Sequence, residues 1–321
     1  MILNRMSRFG SLKTLIGARA ALLGLCLAVV AMLGIVASLP AEAAEAVATP
    51  QISPWQITLQ PANTLVMEHI RLFADMTFWL VGFITLFVLA LLIYVMVRFN
   101  AKANPVPSRV AHNTTIEVLW TIVPVLILVA IAVPSLRLLY EELEVPPADM
   151  TIKAIGKASW SWSYEYTDVL DGKKQPVSID SISLTTADSD SRTDKTTQPR
   201  LFAVDNNLVV PVGKTIKMLV TAEPISVIHS FAVPSFGIKV DAMPGRLNET
   251  WFKAEHTGMY YGECSELCGQ GHAFMPIAVQ VVTDEQFKAW SEAAKTDLDK
   301  AYKVLAETID QDQRKVAVAS K

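Results

Sequence analysis

Cys264, Cys268, His272 and Met275 stand within one short string, Cys264-Ser265-Glu266-Leu267-Cys268-Gly269-Gln270-Gly271-His272-Ala273-Phe274-Met275. Two thiols, an imidazole and a thioether are soft donors that select copper over hard cations, and a weak thioether is the usual distal ligand of electron-transfer copper sites. A mononuclear site of that kind needs one cysteine, so the second requires an account. A disulfide is one: Cys264 and Cys268 are the only cysteines outside the N-terminal segment, and exported domains commonly carry staples. A staple, however, has no use for His272 and Met275 at these spacings. Nor does it use an upstream histidine such as His229 in Val227-Ile228-His229-Ser230-Phe231-Ala232-Val233-Pro234. Two bridging thiolates with one histidine for each metal make a closed dinuclear copper site, whose weak positions fall to Met275 and a backbone carbonyl of the loop. Such a site moves electrons and offers substrate no open position. The surrounding donors favour the metal over the staple.

The elements around this string must export it and hold it still. The chain has 321 residues, 51% of them hydrophobic, with a formal net charge of only −3 and a positive mean hydropathy; this is the composition of a membrane protein with one sizeable outer domain, and nothing in it calls for a nucleic-acid partner. Three apolar stretches stand out. The first, Ala20 to Leu39, follows Arg5, Arg8, Lys13 and Arg19 and ends in small residues at Ala41, Ala43 and Ala44, so residues 1–43 are expected to be a signal peptide whose removal discards Cys26, with a retained signal anchor as the alternative. The second, about Phe73 to Val97, and the third, about Val118 to Tyr140, are each long enough to cross a bilayer. They are expected to form a transmembrane hairpin over 73–140, preceded by a periplasmic segment at 44–72. Arg98, Lys102 and Arg109 lie between the spans with no acid before Glu117, which puts the loop at about 98–117 in the cytoplasm. Pro124 and Pro134 are expected to kink the third stretch.

From about Ala148 the apolar spans give way to short alternating runs. Lys214 to Val220 and Pro276 to Val282 read as strands, and residues 141–283 are expected to form an antiparallel β domain. The ligand loop then joins its last two strands, with His229 delivered from an earlier strand end, as in a cupredoxin-like barrel. Asp171 to Arg200, rich in Ser, Thr, Asp and Lys, is expected to be a polar surface insertion. Thr283-Asp284-Glu285-Gln286 has the form of a capping box and precedes an amphipathic helix within 284–321 that frays from about Asp310.

From about Ile116 to Trp290, apart from the insertion, the chain closely resembles subunit II of the haem-copper cytochrome c oxidases. The ligand string carries the likeness, together with Gly245-Arg246-Leu247-Asn248 and Gly258-Met259-Tyr260-Tyr261-Gly262. The resemblance implies that Cys264 and Cys268 bridge both coppers, that His229 and Met275 complete one, and that His272 with the Glu266 carbonyl completes the other. It implies that the Glu266 side chain reaches a magnesium or manganese ion at the border with the catalytic subunit; one carboxylate supplies little of an octahedral oxygen shell, so a partner must supply the rest. It also makes Glu117 the entrance of a proton pathway, where the residues alone offer only a carboxylate suited to the start of a helix. Trp160, in Gly156-Lys157-Ala158-Ser159-Trp160-Ser161-Trp162-Ser163-Tyr164-Glu165-Tyr166, matches the tryptophan that receives electrons, within a segment one residue longer than the family pattern.

The implied partners are a cytochrome c donor, subunit I with its haem and CuB, other oxidase subunits and lipid, in a bacterial inner membrane with the copper domain in the periplasm. Glu141 to Val282 carries 18 acidic and 12 basic residues, a balance that steers a basic donor at low salt. Glu165 and Asp205 match docking acids. A third docking position, acidic in the family and three residues before His229, is Ser226 here, in a stretch lengthened by two residues. Haem belongs to a partner, since His69, His112 and His256 are unclustered. Rival readings are a quinol oxidase subunit, which would lack the copper ligands; a tethered copper chaperone or thiol oxidoreductase, which would show one anchor and a βαβ pattern; and a disulfide-stapled assembly module.

Overall fold

The structure is a computed structural model that describes residues 55–106, 108–170 and 175–319. The expected signal peptide, Cys26 and the first part of the 44–72 segment lie outside the described residues.

Among the described residues two long apolar helices come first, α1 (Leu65–Arg98) and α2 (Thr114–Leu143). Each begins where a side chain can take a free backbone donor: Thr64 accepts from Met67 N, and Asn113 from Ile116 N at 3.3 Å. At a rise of about 1.5 Å per residue they run to about 51 and 45 Å, against an apolar bilayer core of about 30 Å. Both therefore exceed the apolar spans expected from hydropathy. The surplus of α1 falls at its start, where the helix begins at Leu65, ahead of the apolar span expected from Phe73. The two helices meet near that end through His69 Nδ1 and Glu141, 2.9 Å apart. Pro124 and Pro134 sit within α2, which continues through both.

The start of α1 is fastened to the β domain. Asn63 N donates to Ser235 O at 2.8 Å, Asn63 Oδ1 accepts from His256 N at 2.8 Å, and the buried Thr64 hydroxyl donates to Phe236 O at 2.8 Å. Deep hydrogen bonds of this kind are costly to leave unmade, so the hairpin and the domain are joined without slack.

Among the described residues, ten strands form two sheets around one core. They are β1 (Met150–Gly156), β2 (Trp162–Leu170), β3 (Pro176–Ser181), β4 (Leu208–Pro211), β5 (Thr215–Ala222), β6 (His229–Val233), β7 (Ile238–Ala242), β8 (Asn248–Lys253), β9 (Gly258–Cys264) and β10 (Pro276–Val282). One sheet has the order β3-β2-β1-β5-β8, the other β4-β10-β9-β6-β7. Ile152, Trp162, Tyr164 and Met218 from the first sheet pack with Phe231, Val233, Ile277 and Val279 from the second. This is the cupredoxin-like β domain read from the sequence, with one correction. β1 pairs with β5 and β4 with β10 in parallel, whereas a wholly antiparallel domain was expected. Period-two alternation reports which face is buried and carries no information on strand direction.

The polar stretch also holds more structure than its composition suggests. β3 adds an edge strand whose Val177, Ile179 and Ser181 face inward. Beyond it Arg192 is fixed by Asp190 at 2.8 and 2.7 Å and by Gln198 O at 3.0 Å. At the C-terminus the capping box of Thr283 and Gln286 opens α3 (Asp284–Ala294), and after a break at Lys295–Asp297 the chain re-forms as α4 (Leu298–Ala319). The single fraying helix is thus two, with α4 tied back where Gln286 donates to Asp312 at 3.0 Å. Trp290, fully buried, stacks near Tyr166 at 5.1 Å and anchors this cap to the barrel.

Candidate metal centre

β6 and β9 are neighbours in register, with Phe231 opposite Cys264. Side chains two apart share a face, so the pairing brings His229, the first residue of β6, diagonally beside Cys264, the last of β9. The loop that follows β9 is closed at its base where Cys264 N donates to Met275 O at 3.1 Å, and Ser265 N extends the ladder to Ser230 O at 3.1 Å. Within it a short 3₁₀ turn, His272–Phe274, lifts His272 back toward the strand ends.

The donors form an ordered run. His229 Nδ1 lies 3.9 Å from Cys264 Sγ, Cys264 Sγ lies 3.7 Å from Cys268 Sγ, and Cys268 Sγ lies 3.6 Å from His272 Nδ1. Glu266 O is 3.3 Å from Cys264 Sγ. Both cysteines are free and buried; a disulfide would bring the sulfurs to about 2.05 Å. Among the described residues, His229, Cys264 and Cys268 make the one three-donor group compact enough for a single ion. His272 lies outside it, beyond the second sulfur, so the imidazoles bracket the sulfur pair from opposite ends. Met275, 1% exposed, lines a recess of about 300 Å³ with Leu201, Phe202, Cys264 and His272.

Burial raises the Cys268 thiol above its ordinary pKa, and a neighbouring Cys264 thiolate would raise it further. The His229 pKa is lowered, first by burial and then by His272. Two adjacent thiolates in this setting repel, and a coordinated cation is what stabilises both, because a ligating thiol is deprotonated outright. Soft, buried, mutually repelling thiols with an imidazole at either end fit copper.

The surrounding residues leave these donors little freedom. Trp162 meets the His229 ring edge-on at 6.2 Å, and a Cβ added at Gly156 would stand 2.7 Å from His229 Cδ2. Trp160 Nε1 donates to Cys268 O at 2.9 Å, and its ring lies so close over Gly271 that a Cβ there would come within 2.2 Å of Cγ. This indole is delivered by an unusual backbone: Trp160 has φ 56°, in the left-handed region that bulky residues avoid.

Comparison with known proteins shows the family. The family model for the periplasmic domain of cytochrome c oxidase subunit II matches residues 150–282, and that for its transmembrane domain matches residues 52–138. A probable cytochrome c oxidase subunit 2 of Rickettsia bellii is 46% identical over 237 residues, 74% of this chain and 83% of that protein. The chain belongs to the cytochrome c oxidase subunit II family. It is therefore a subunit of an oxidoreductase complex, membrane-embedded through two apolar helices and carrying an external β domain. The crystal structure of the periplasmic domain of subunit II from Bradyrhizobium japonicum is 53% identical over 47% of this chain and 97% of that one, with a TM-score of 0.41. A subunit II domain in a mixed disulfide with a thioredoxin-like protein is 55% identical over 48% of this chain and 96% of that one, with a TM-score of 0.39.

The other residues singled out in this subunit II fall at separate places. Glu266 is exposed on the ligand loop. Glu117 lies in the first turn of α2, where its Oε1 accepts from Asn113 N at 3.1 Å and so also closes the helix start. Glu165 pairs with Lys153 at 3.1 Å, because β1 and β2 place them opposite one another, and this partly cancels its charge. Asp205 accepts from Ile182 N at 2.7 Å and Asn206 N at 2.8 Å, a turn-forming task, with its side chain still at the surface. Sequence reasoning passed over Gly156 and Gly271, whose missing side chains make room for His229 and Trp160, and the contact between Ser226 and His229. A serine three residues before a candidate ligand was the available signal. In Gly156→Ala the methyl must displace the His229 ring; we expect copper retention to fall by about 10–100-fold, the usual effect of disturbing a ligand's support, measured by chelator competition on the full chain.

Proposed function

We propose that this subunit II accepts electrons from a cytochrome c at a dinuclear copper centre and delivers them to haem in the catalytic subunit, for reduction of oxygen to water coupled to proton translocation. The carrying observation is the run His229, Cys264, Cys268, His272, in which an unjoined sulfur pair is bracketed by imidazoles. Met275 and the Glu266 carbonyl are the proposed weak donors. A thiolate-bridged copper pair supplies, when bound, a one-electron relay. The chain's own task is to keep those ligands still, which strand ends, a closed loop base and close-packed aromatic rings favour. Trp160 is proposed to take in the electron; its hydrogen bond to Cys268 O supports this, since it links a half-exposed ring to a bridging ligand. The Glu266 carboxylate is proposed to reach magnesium or manganese with subunit I supplying most of the shell.

The excess of acids on the outer domain supports a basic donor, steered by charge at low salt, although Lys153 weakens the contribution of Glu165. The membrane is proposed to be the bacterial inner membrane, with residues 1–43 a cleaved signal peptide, the loop between the helices cytoplasmic and the β domain periplasmic. A thioredoxin-like dithiol is proposed to keep the cysteine pair reduced before metal arrives, becoming a disulfide as it does so; the relative caught in a mixed disulfide supports a reachable thiol, and the recess lined by Cys264 supplies a path. Glu117 is proposed to collect protons at the cytoplasmic edge.

Two experiments on the assembled oxidase follow. Cys264→Ser and Cys268→Ser should each abolish cytochrome c oxidation and lower copper bound by subunit II while the complex still assembles; wild-type turnover in either variant would refute the electron-transfer reading. Glu117→Gln should slow proton uptake, followed with a pH-indicator dye, with copper content unaltered; unchanged uptake removes the proton role alone.

A further inference from the structure

The two imidazoles of the centre are not held alike. His229 is fully buried, with Nδ1 toward Cys264 Sγ and Nε2 2.9 Å from the Ser226 hydroxyl. His272 is half-buried, with Nδ1 toward Cys268 Sγ, and among the described residues no side chain takes its far nitrogen.

Ser226 is not a chance neighbour. Its N–H donates to Glu223 O at 3.0 Å, making a turn, and that turn is bound at two points to the end of β1: Glu223 N donates to Gly156 O at 3.0 Å, and Glu223 Oε2 accepts from Ala158 N at 3.0 Å. The same strand end supplies Gly156, which makes room for the His229 ring. One backbone feature therefore fixes both the ring's space and the Ser226 hydroxyl at its Nε2, and the adjoining Lys157 backbone hydrogen-bonds the ring as well. Ile225 and Val227, flanking Ser226, are 90% and 52% exposed; the turn stays where it is through these hydrogen bonds, with little help from buried apolar area.

We propose that Ser226 is a positioning residue for the metal centre. It holds His229 in the tautomer whose Nδ1 is bare toward the sulfur pair and whose Nε2–H donates to the serine oxygen. A ring nitrogen can bind a metal only when it carries no proton, and the partner of the other nitrogen decides which tautomer is present. The ring is thereby set for the metal before the metal arrives, and the His229 end of the centre is stiffer than the His272 end. The hydroxyl is also a neutral acceptor: a carboxylate in its place would add negative charge beside the ring and favour the oxidised, more positive centre.

This inference rests on the copper reading above, and the test separates the two. Full-length wild type, Ser226→Ala, Ser226→Thr and Ser226→Asp are loaded with copper and compared by chelator competition, electron-spin resonance and redox titration. Ser226→Ala should weaken copper retention by about 10–100-fold and alter the spectrum. Ser226→Thr, which keeps the hydroxyl, should restore both, and Ser226→Asp should lower the midpoint potential. If wild type binds copper and Ser226→Ala matches it in retention and spectrum, or Ser226→Thr fails as Ser226→Ala does, the role of Ser226 is refuted while the copper reading stands. If wild type takes up no copper, both fall.

Discussion

Two sulfur atoms held 3.7 Å apart in a buried place, without a bond between them, are an unstable thing to build from thiols alone. Either could oxidise onto the other, and ionising both would place like charges side by side away from water. The chain meets that strain with positioning. Cys264 closes a strand whose neighbour delivers His229, Cys268 is gripped by the Trp160 indole at its carbonyl, and His272 returns on a short turn to the second sulfur. A pair of soft cations bound to this set would balance the charge and keep the sulfurs apart.

The barrel turns that local requirement into a global one. His229 stands where it does because β6 lies between β7 and β9, and the Trp160 ring reaches the loop because a residue in the left-handed region ends the turn between β1 and β2. The ligands thus come from the end of one sheet and its loop, while Trp160 and Gly156, which hold them, come from the other, so a shift between the sheets would spoil the centre. Asn63 and Thr64 carry the same rigidity to the helix hairpin. An electron relay benefits from such stiffness, since ligands that barely move between oxidation states cost little reorganisation on each transfer.

The part of this legible in the sequence was what lies close along the chain. Cys264, Cys268, His272 and Met275 are a contiguous string, the apolar spans announce the hairpin, and Thr283 with Gln286 announces a helix start. What required the fold was contact between distant segments. The opposition of Lys153 and Glu165 follows from strand pairing, so the damping of the Glu165 charge could not be read from residue types. Ser226 looked like a missing acid until a turn bound to β1 placed its hydroxyl on His229. Parallel pairing of β1 with β5 leaves no mark on alternation, β3 rests on two apolar side chains in a polar stretch, and the start of α1 is set by Thr64 rather than by hydropathy.

Whether the sulfur pair is a metal bridge is decided most directly by electron-spin resonance of the purified, copper-replete full chain, read together with its copper content. The geometry of His229, Cys264, Cys268 and His272 predicts a pair of coppers per chain with a single unpaired electron shared between them. A signal from isolated, unshared copper, or a chain with no copper and no free thiol, would contradict it.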